Sequence, residues 1–97
     1  MPSYVTLINW TDQGVKNFKD SVDRYEAAQA AMGKSGARFT DVYWTIGQYD
    51  LVAIVDAPDD EAATAALLAV GAQGSIRTTT MRGFSAGEMR GIIAKAS

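Results

Sequence analysis

The stretch that most restricts the possible fold runs from Phe39 to Asp56 and reads FTDVYWTIGQYDLVAIVD. It is rich in β-branched and aromatic residues, contains no proline, and carries its only glycine in the middle, where two strands need a tight turn. The pattern therefore predicts a β-hairpin that turns at Gly47 and Gln48. We expect this hairpin to be the central hairpin of the sheet.

Strand alternation assigns the side chains of this hairpin to two faces. With a two-residue loop, the first face is wholly apolar and carries Val42, Trp44, Ile46, Tyr49, Leu51 and Ala53. The second face is mixed and carries Asp41, Tyr43, Thr45, Asp50, Val52 and Ile54. The mixture is too apolar for water and too polar for an ordinary core. It predicts that the protein's own helices cover one side of the sheet and that a partner or a ligand covers the other.

The composition excludes several kinds of chemistry. The chain has no cysteine, which excludes disulfides, thiolate nucleophiles and cysteine-ligated zinc or iron-sulfur sites. It also has no histidine, which removes the usual general base and the commonest transition-metal ligand. We therefore expect neither a metal nor a cofactor, and any proton transfer would fall to carboxylates, tyrosines, lysines or arginines.

Length and charge restrict the architecture and the partners. A chain of 97 residues predicts a single domain spanning residues 1–97. The formal net charge is −2 with both signs scattered, so we expect neither nucleic acid nor an anionic membrane as a partner. No apolar run approaches the roughly 20 residues of a membrane span, and the N-terminus lacks the features of a signal peptide. The sequence thus predicts a cytoplasmic protein.

The segments before the hairpin predict a strand and a helix. Residues 3–10 alternate and are largely apolar on both sides, which indicates a strand inside the sheet. Thr11 is a suitable N-cap for a helix that continues to Met32. The apolar side of this helix is predicted at spacings of three and four by Val15, Phe18, Val22, Tyr25, Ala28 and Met32.

The segments after the hairpin predict a helix, a strand and a last helix. Asp59 is a candidate N-cap for an alanine-rich helix over residues 60–70, whose small side chains allow a close approach to the sheet. Residues 75–84 predict an edge strand that contains threonines and arginines. Ser85 and Glu88 form a capping-box pattern for a C-terminal helix that reaches Lys95. The order strand, helix, strand, strand, helix, strand predicts an α+β, ferredoxin-like βαββαβ sandwich plus this helix.

Several short motifs in this order resemble the GYD domain family, which is named for a glycine, tyrosine and aspartate at the hairpin. The hairpin here carries Gly47, Gln48, Tyr49 and Asp50. The resemblance covers nearly the whole chain, and its other residues are Thr11 to Gly14, Lys19, Asp20, Ser21, Arg24, Tyr43, Trp44, Ala57, Pro58, Asp59, Arg77 to Thr80, Glu88 and Met89.

The resemblance implies a small bacterial or archaeal α/β protein of ferredoxin-like type that associates with itself, while it leaves the biochemical role open. One position departs from the family pattern. Relatives often carry proline after the pair Asp20 and Ser21, whereas this chain has Val22. Because proline interrupts helices, we expect the first helix to be more continuous here than in relatives.

The candidate site residues lie near the hairpin. Tyr49 and Asp50 are the candidate catalytic residues, and the predicted ligand-binding residues are Arg24, Tyr43, Trp44, Tyr49, Asp50 and Arg77. Beneath an interface Asp50 would need a countercharge, for which Arg24, Arg77 and Arg82 are available, and could orient a small ligand or transfer a proton. A structural role remains open for each residue: turn chemistry for Tyr49 and Asp50, and an arginine extending to solvent for Arg24.

Two hypotheses of function follow. In the first, the chain is a homodimeric or larger homo-oligomeric module without catalysis, whose mixed face packs against another subunit and encloses an interaction or small-molecule site. In the second, it is a cofactor-independent enzyme of the dimeric α/β-barrel type, acting on a small aromatic or polyketide-like substrate with Asp50 or Asp41 as the base.

Overall fold

The computed structural model describes all 97 residues, which form a four-stranded antiparallel sheet with helices packed on one face. This α+β architecture with a C-terminal helix confirms the fold expected from the sequence. The elements in chain order are β1 (Ser3–Trp10), α1 (Asp12–Lys16), α2 (Ser21–Met32), β2 (Arg38–Trp44), β3 (Leu51–Asp56), α3 (Asp60–Gly71), β4 (Ile76–Gly83) and α4 (Ala86–Ala96), with short 3₁₀ turns at Phe18–Asp20 and Gly33–Ser35. None of these helices combines the length and the apolar character that crossing a membrane requires.

The strand order is β2-β3-β1-β4, so β1 is interior, as its two apolar sides predict. The hairpin is not central, because only β3 pairs on both sides and β2 is an edge strand. Each helical crossover passes over one strand, which places β1 between β3 and β4 and moves β2 outward. The register of β2 shifts between Phe39 and Asp41, an irregularity typical of edge strands.

The hairpin register agrees with the expected one: Val42 pairs with Ala53, and Trp44 pairs with Leu51. Regular strand structure ends at Trp44 and begins again at Leu51, so the turn projects beyond the sheet. Gly47 has a φ of 120°, which a residue with a side chain rarely adopts. Ile46, expected on the apolar face, is fully exposed on this projecting turn.

The first helix is interrupted, which contradicts the expectation of a continuous helix to Met32. It consists of α1, the 3₁₀ turn Phe18–Asp20 and α2. The helix is therefore broken just before Val22, although Val22 stands where relatives often carry proline. The cause is a close approach of α1 to the start of β4. Gly14 is buried there, and the Ser75 carbonyl oxygen accepts a hydrogen bond from the Thr11 amide at 3.1 Å. Because α1 is held at this point, the chain must turn before α2 can cross the sheet.

The core lies between the sheet and the helices α2 and α3. Its fully buried side chains include Met32, Val55 and Thr6, and Ala63 and Ala66 of α3 are buried against the sheet as the alanine-rich sequence predicts. The first half of the predicted apolar stripe is not in this core. Val15 of α1, Phe18 of the 3₁₀ turn and Val22 in the first turn of α2 are exposed.

The last helix, α4, begins with the expected capping box. The amide of Glu88 donates to the Ser85 hydroxyl, and the amide of Ser85 donates to the Glu88 carboxylate. The hydrogen bond from the Ser85 backbone keeps the pKa of Glu88 below its ordinary value. No residue of α4 is fully buried, and the whole chain is elongated, with extents of 50, 31 and 17 Å.

Candidate functional site: the open face and the end of the hairpin

One side of the sheet has no helix over it, and we call it the open face. Its apolar centre is formed by Val5, Leu7, Val52, Ile54, Tyr43 and Met81, which strand register places side by side. The four aliphatic side chains of β1 and β3 are half-buried, whereas Tyr43 is 66% exposed and Met81 is 45% exposed. This confirms the predicted face of Tyr43, Val52 and Ile54, and it leaves an apolar surface on the outside of the chain.

Polar groups border this apolar centre at both ends. At one end the Ser3 hydroxyl donates to the Asp56 carboxylate at 2.9 Å, and Arg38 lies 3.8 Å from the other oxygen of Asp56. At the opposite end Asn9 pairs with Arg77, which is exposed. An apolar centre with a polar rim is the usual anatomy of a protein-protein interface.

Asp50 lies at the hairpin end of the sheet, where it holds the main chain. Its carboxylate accepts a hydrogen bond from the Trp10 amide at 2.8 Å, and its own amide donates to the Ile8 carbonyl at 2.9 Å. No arginine pairs with it; the ion pairs of the chain join Arg38 to Asp56 and Arg82 to Asp60 and Glu88. The structural role left open for Asp50 thus has a specific partner, the last amide of β1.

Tyr49 is half-buried beside Asp50, and its carbonyl accepts a hydrogen bond from the Thr45 hydroxyl at 2.6 Å within the turn. Asp41, the other candidate base, is exposed on the edge strand β2. Neither carboxylate of the enzyme hypothesis therefore lies in an enclosed pocket of this chain. The crevice nearest to the hairpin, between α2 and the sheet, measures only about 50 Å³, far below the roughly 300 Å³ of ordinary ligand pockets.

Arg24 points to the end of α1 rather than to the open face. Its guanidinium donates to the carbonyl oxygens of Asn17 at 2.6 Å and Gly14 at 3.2 Å, at the end of α1. The Asn17 carbonyl also accepts a hydrogen bond from the Asp20 amide at 3.0 Å. Arg24 also lines the small crevice between α2 and the sheet. The structure therefore separates Arg24 from Tyr43 and Arg77, with which it was grouped as a ligand-binding residue.

Trp44 lies on the helical side of the sheet, opposite to Tyr43. Its indole Nε1 donates to the Ser21 hydroxyl at 2.8 Å, and its ring is nearly perpendicular to that of Tyr25, with 6.0 Å between centroids. It is nevertheless partly exposed at the outer end of β2. The predicted site residues are therefore not brought together in one pocket: Tyr43 and Arg77 lie on the open face, Tyr49 and Asp50 at the end of the hairpin, and Arg24 and Trp44 on the helical side.

A second apolar surface was not expected from the sequence. Phe18, Val22, Trp44 and Ile46 are all substantially exposed, and the hydrogen bond from Trp44 to Ser21 joins the end of β2 to the start of α2. We call these four residues the hairpin-end cluster. Helical spacing assigned Phe18 and Val22 to the core, and the helix interruption that exposes them depends on a contact with Ser75 that the sequence does not reveal.

A cluster of polar residues at the other end of the sheet was also missed. The buried hydroxyl of Tyr4 donates to the Asp60 carboxylate, and the Arg82 guanidinium lies 4.0 Å from Asp60 and 3.6 Å from Glu88. Arg82 also lies over the rings of Tyr4 and Phe84. Burial, followed by the hydrogen bond to Asp60, raises the pKa of Tyr4 from 10.0 to about 12.

This shift predicts a loss of stability in alkali. An unfolded tyrosine ionises near its ordinary pKa, whereas folded Tyr4 keeps its proton to a higher pH. The contribution of Tyr4 to the free energy of unfolding is therefore complete below about pH 10 and is lost as the pH rises toward about 12. We expect Tyr4→Phe to flatten this part of the pH profile of the free energy of unfolding, measured by denaturant titration. Tyr43→Phe, at an exposed tyrosine, should leave the profile steep; equal slopes in all three proteins would contradict the assignment.

The fold and these surfaces define a class: a small α+β protein of the split βαβ type whose sheet keeps one face uncovered. The model of the GYD domain family matches residues 4–93. The chain therefore belongs to the GYD domain family, as its motifs suggested.

Two similar proteins come from Thermus thermophilus. One is named glutamine synthetase and cystathionine beta-lyase binding protein; it is 28% identical over 82 residues, which cover 84% of this chain and 86% of that protein. The other is TTHA0845, whose crystal structure superposes with a TM-score of 0.57 at 25% identity, covering 89% of this chain and 96% of that one. The first name describes a protein that binds other proteins.

Proposed function

We propose that this chain is a non-catalytic, protein-binding module that acts as a homo-oligomer, with the open face as the surface of self-association. The observation that carries this proposal is the apolar centre of that face, with Tyr43 and Met81 largely exposed inside a polar rim. An exposed apolar patch of this kind on a small domain typically marks an interaction site. Any small ligand would lie between two such faces.

The partner, on this proposal, is another protein, as the name of the Thermus thermophilus relative suggests. The hairpin-end cluster supplies a second surface for it, on the side of the sheet that self-association leaves free. Trp44 lies within this cluster, and tryptophan is among the residues that contribute most to binding energy at interfaces. Its hydrogen bond to Ser21 holds the ring in place before binding, which lowers the entropy lost on association.

Self-association is tested by Tyr43→Asp. If Tyr43 is buried between two open faces, the new carboxylate is desolvated without a partner. We expect the variant to associate at least about tenfold more weakly, as measured by light scattering over a dilution series. Ala30→Asp is the matched control, because it adds the same charge at an exposed position of α2, and it should associate like the unmodified chain. An unchanged oligomer in Tyr43→Asp would show that the open face is not the interface.

Partner binding is tested with purified bacterial glutamine synthetase and cystathionine beta-lyase as probes. We expect Ile46→Asp to weaken binding of either enzyme by about tenfold, since a single charge in an apolar contact costs roughly 1–3 kcal/mol. Gln48→Asp is the control, because it places a carboxylate on the same exposed turn outside the cluster. Equal affinities of the two variants, measured by biolayer interferometry, would remove the hairpin-end cluster from the proposal. Absence of binding by the unmodified chain would instead count against these two enzymes as partners.

A further inference from the structure

The two edges of the sheet are not alike. The edge strand β2 is irregular near its start, where its register shifts between Phe39 and Asp41. The side-chain amide of Gln29 on α2 takes the place of a neighbouring strand there. It donates to the Phe39 carbonyl oxygen at 3.1 Å and accepts a hydrogen bond from the Phe39 amide at 2.7 Å. An irregular register and occupied main-chain groups block the addition of another strand at this edge.

The other edge strand, β4, has neither of these features. Its register with β1 is regular over all eight residues, Ile76–Gly83. Two hydrogen bonds show which way the main chain points. The amide of Trp10 donates to Asp50 on the β3 side of β1, and the amide of Thr11 donates to the Ser75 carbonyl oxygen on the β4 side. Because main-chain groups alternate in direction along an antiparallel strand, the odd-numbered residues of β4 point to β1.

The outward-pointing main-chain groups of β4 therefore belong to its even-numbered residues. These residues are Ile76, Thr78, Thr80 and Arg82, and their amides and carbonyl oxygens have no strand beside them. A row of unpaired amides and carbonyl oxygens on a regular edge is a template for pairing with another strand. The sheet is thus closed to strand addition at β2 and open to it at β4.

We infer that β4 pairs with β4 of a second copy of this chain, antiparallel and about a two-fold axis at Thr79. The four outward-pointing residues lie symmetrically about Thr79. This register therefore pairs Ile76 with Arg82, and Thr78 with Thr80, of the second copy in about eight hydrogen bonds. Any other two-fold register leaves at least one of the four residues without a partner. The strand is its own complement, so a second copy is the occupant that fits this edge.

The side chains that this register brings together are compatible. Thr79 faces Thr79 of the second copy on the open-face side, and Thr78 faces Thr80 on the helical side; threonine pairs across strands are favourable. Arg77 faces the unbranched side chain of Met81. The two copies of Arg77 lie about 14 Å apart along the strands, beyond the Debye length of about 8 Å at physiological salt. The arginines that discourage unspecific pairing of an edge strand therefore do not oppose this pairing.

The pairing joins two four-stranded sheets into one sheet of eight strands. Because the two-fold axis is perpendicular to the sheet, the two open faces lie side by side and both stay uncovered. The inference therefore does not rest on the function proposed above. A copy that covers the open face is a different neighbour, and the two contacts together build an assembly larger than a dimer.

The absence of cysteine makes the pairing testable by engineered disulfides in the full-length chain. Thr79 is exposed in the single chain, and across the two-fold axis it forms a non-hydrogen-bonded pair with Cα atoms about 4.5 Å apart, a distance that a disulfide spans. Thr79→Cys should therefore form a linked dimer on mild oxidation at least about tenfold faster than Met81→Cys, as measured by non-reducing electrophoresis. Met81→Cys is the matched control, because Met81 is exposed on the same strand and face but lies about 14 Å from its own copy.

Two further combinations test the register and the surface. A mixture of Arg77→Cys and Met81→Cys, one of them carrying a size tag, should form the mixed disulfide at least about tenfold faster than either variant links to itself. Tyr43→Asp in the Thr79→Cys chain should leave the disulfide in place, which separates the β4 edge from the open face. Equal rates for Thr79→Cys and Met81→Cys would overturn the inference. Loss of the Thr79→Cys disulfide in the Tyr43→Asp chain would also overturn it, since the contact would then belong to the open face.

Hydrogen exchange tests the same pairing in the unmodified chain. The amides of Thr78 and Thr80 have no acceptor within the single chain. The amide of Val42 is the control on the other edge: it points outward from β2, because its neighbour Ala53 points to β1. Paired with a second copy, Thr78 and Thr80 should exchange at least about tenfold more slowly than Val42. Exchange of all three amides at the same rate would contradict the pairing.

Discussion

Replacing Gly14 by alanine should destabilise this protein more than replacing any other of its glycines by alanine. A Cβ atom at Gly14 would lie 2.0 Å from the carbonyl oxygen of Ser75 and 3.0 Å from its carbonyl carbon. Both are main-chain atoms, so no side chain can rotate away to relieve the overlap. We expect a loss of at least about 3 kcal/mol in the free energy of unfolding, a large part of the stability of a small domain, as measured by denaturant titration.

The matched control is Gly33→Ala. Gly33 has a φ of −58°, which alanine adopts freely, and an added Cβ would meet nothing within 4 Å. Its replacement should be neutral or stabilise by about 0.4–1 kcal/mol through the unfolded state. If the two variants have the same stability, α1 can move away from Ser75 at little cost, and the proposed cause of the helix interruption is wrong.

Gly14 shows why the path of the first helix could not be predicted from the sequence. The strands, the caps at Thr11, Asp59 and Ser85, and the hairpin register all depend on local pattern, and each was confirmed. The interruption at residues 17–20 depends on a contact with Ser75, which is about 60 residues away in the sequence. Apolar spacing alone therefore continued the helix and assigned Phe18 and Val22 to the core, whereas both are exposed.

The candidate site divides in the same way. The residues of the open face follow from strand alternation, which is a local property, so Tyr43, Val52 and Ile54 were assigned correctly to one face. The partners of polar side chains are not local. The bond from Asp50 to the Trp10 amide and the cluster of Tyr4, Asp60 and Arg82 join segments that only the sheet order brings together. The structural alternatives for Asp50 and Arg24 could be stated from the sequence, but their partners could not.

Arg24→Ala should lower the free energy of unfolding by about 2 kcal/mol, because two hydrogen bonds from a charged donor to the main chain are lost. The effect is structural, because the Arg24 guanidinium joins α2 to the carbonyl oxygens of Gly14 and Asn17 at the end of α1. Denaturant titration measures the loss. Hydrogen exchange at the amides of residues 12–17 should show that it is concentrated in α1.

Lys19→Ala is the control, since Lys19 is exposed nearby and forms no ion pair, and it should change stability by less than about 0.5 kcal/mol. The comparison also decides between the two roles considered for Arg24. A ligand-binding arginine could be replaced with little cost to folding and a large cost to binding, because its bonds would be made only in the complex. The two existing bonds to α1 predict the opposite for Arg24→Ala. The variant should be less stable, and its binding of a protein partner should recover when the temperature is lowered enough to restore the folded state.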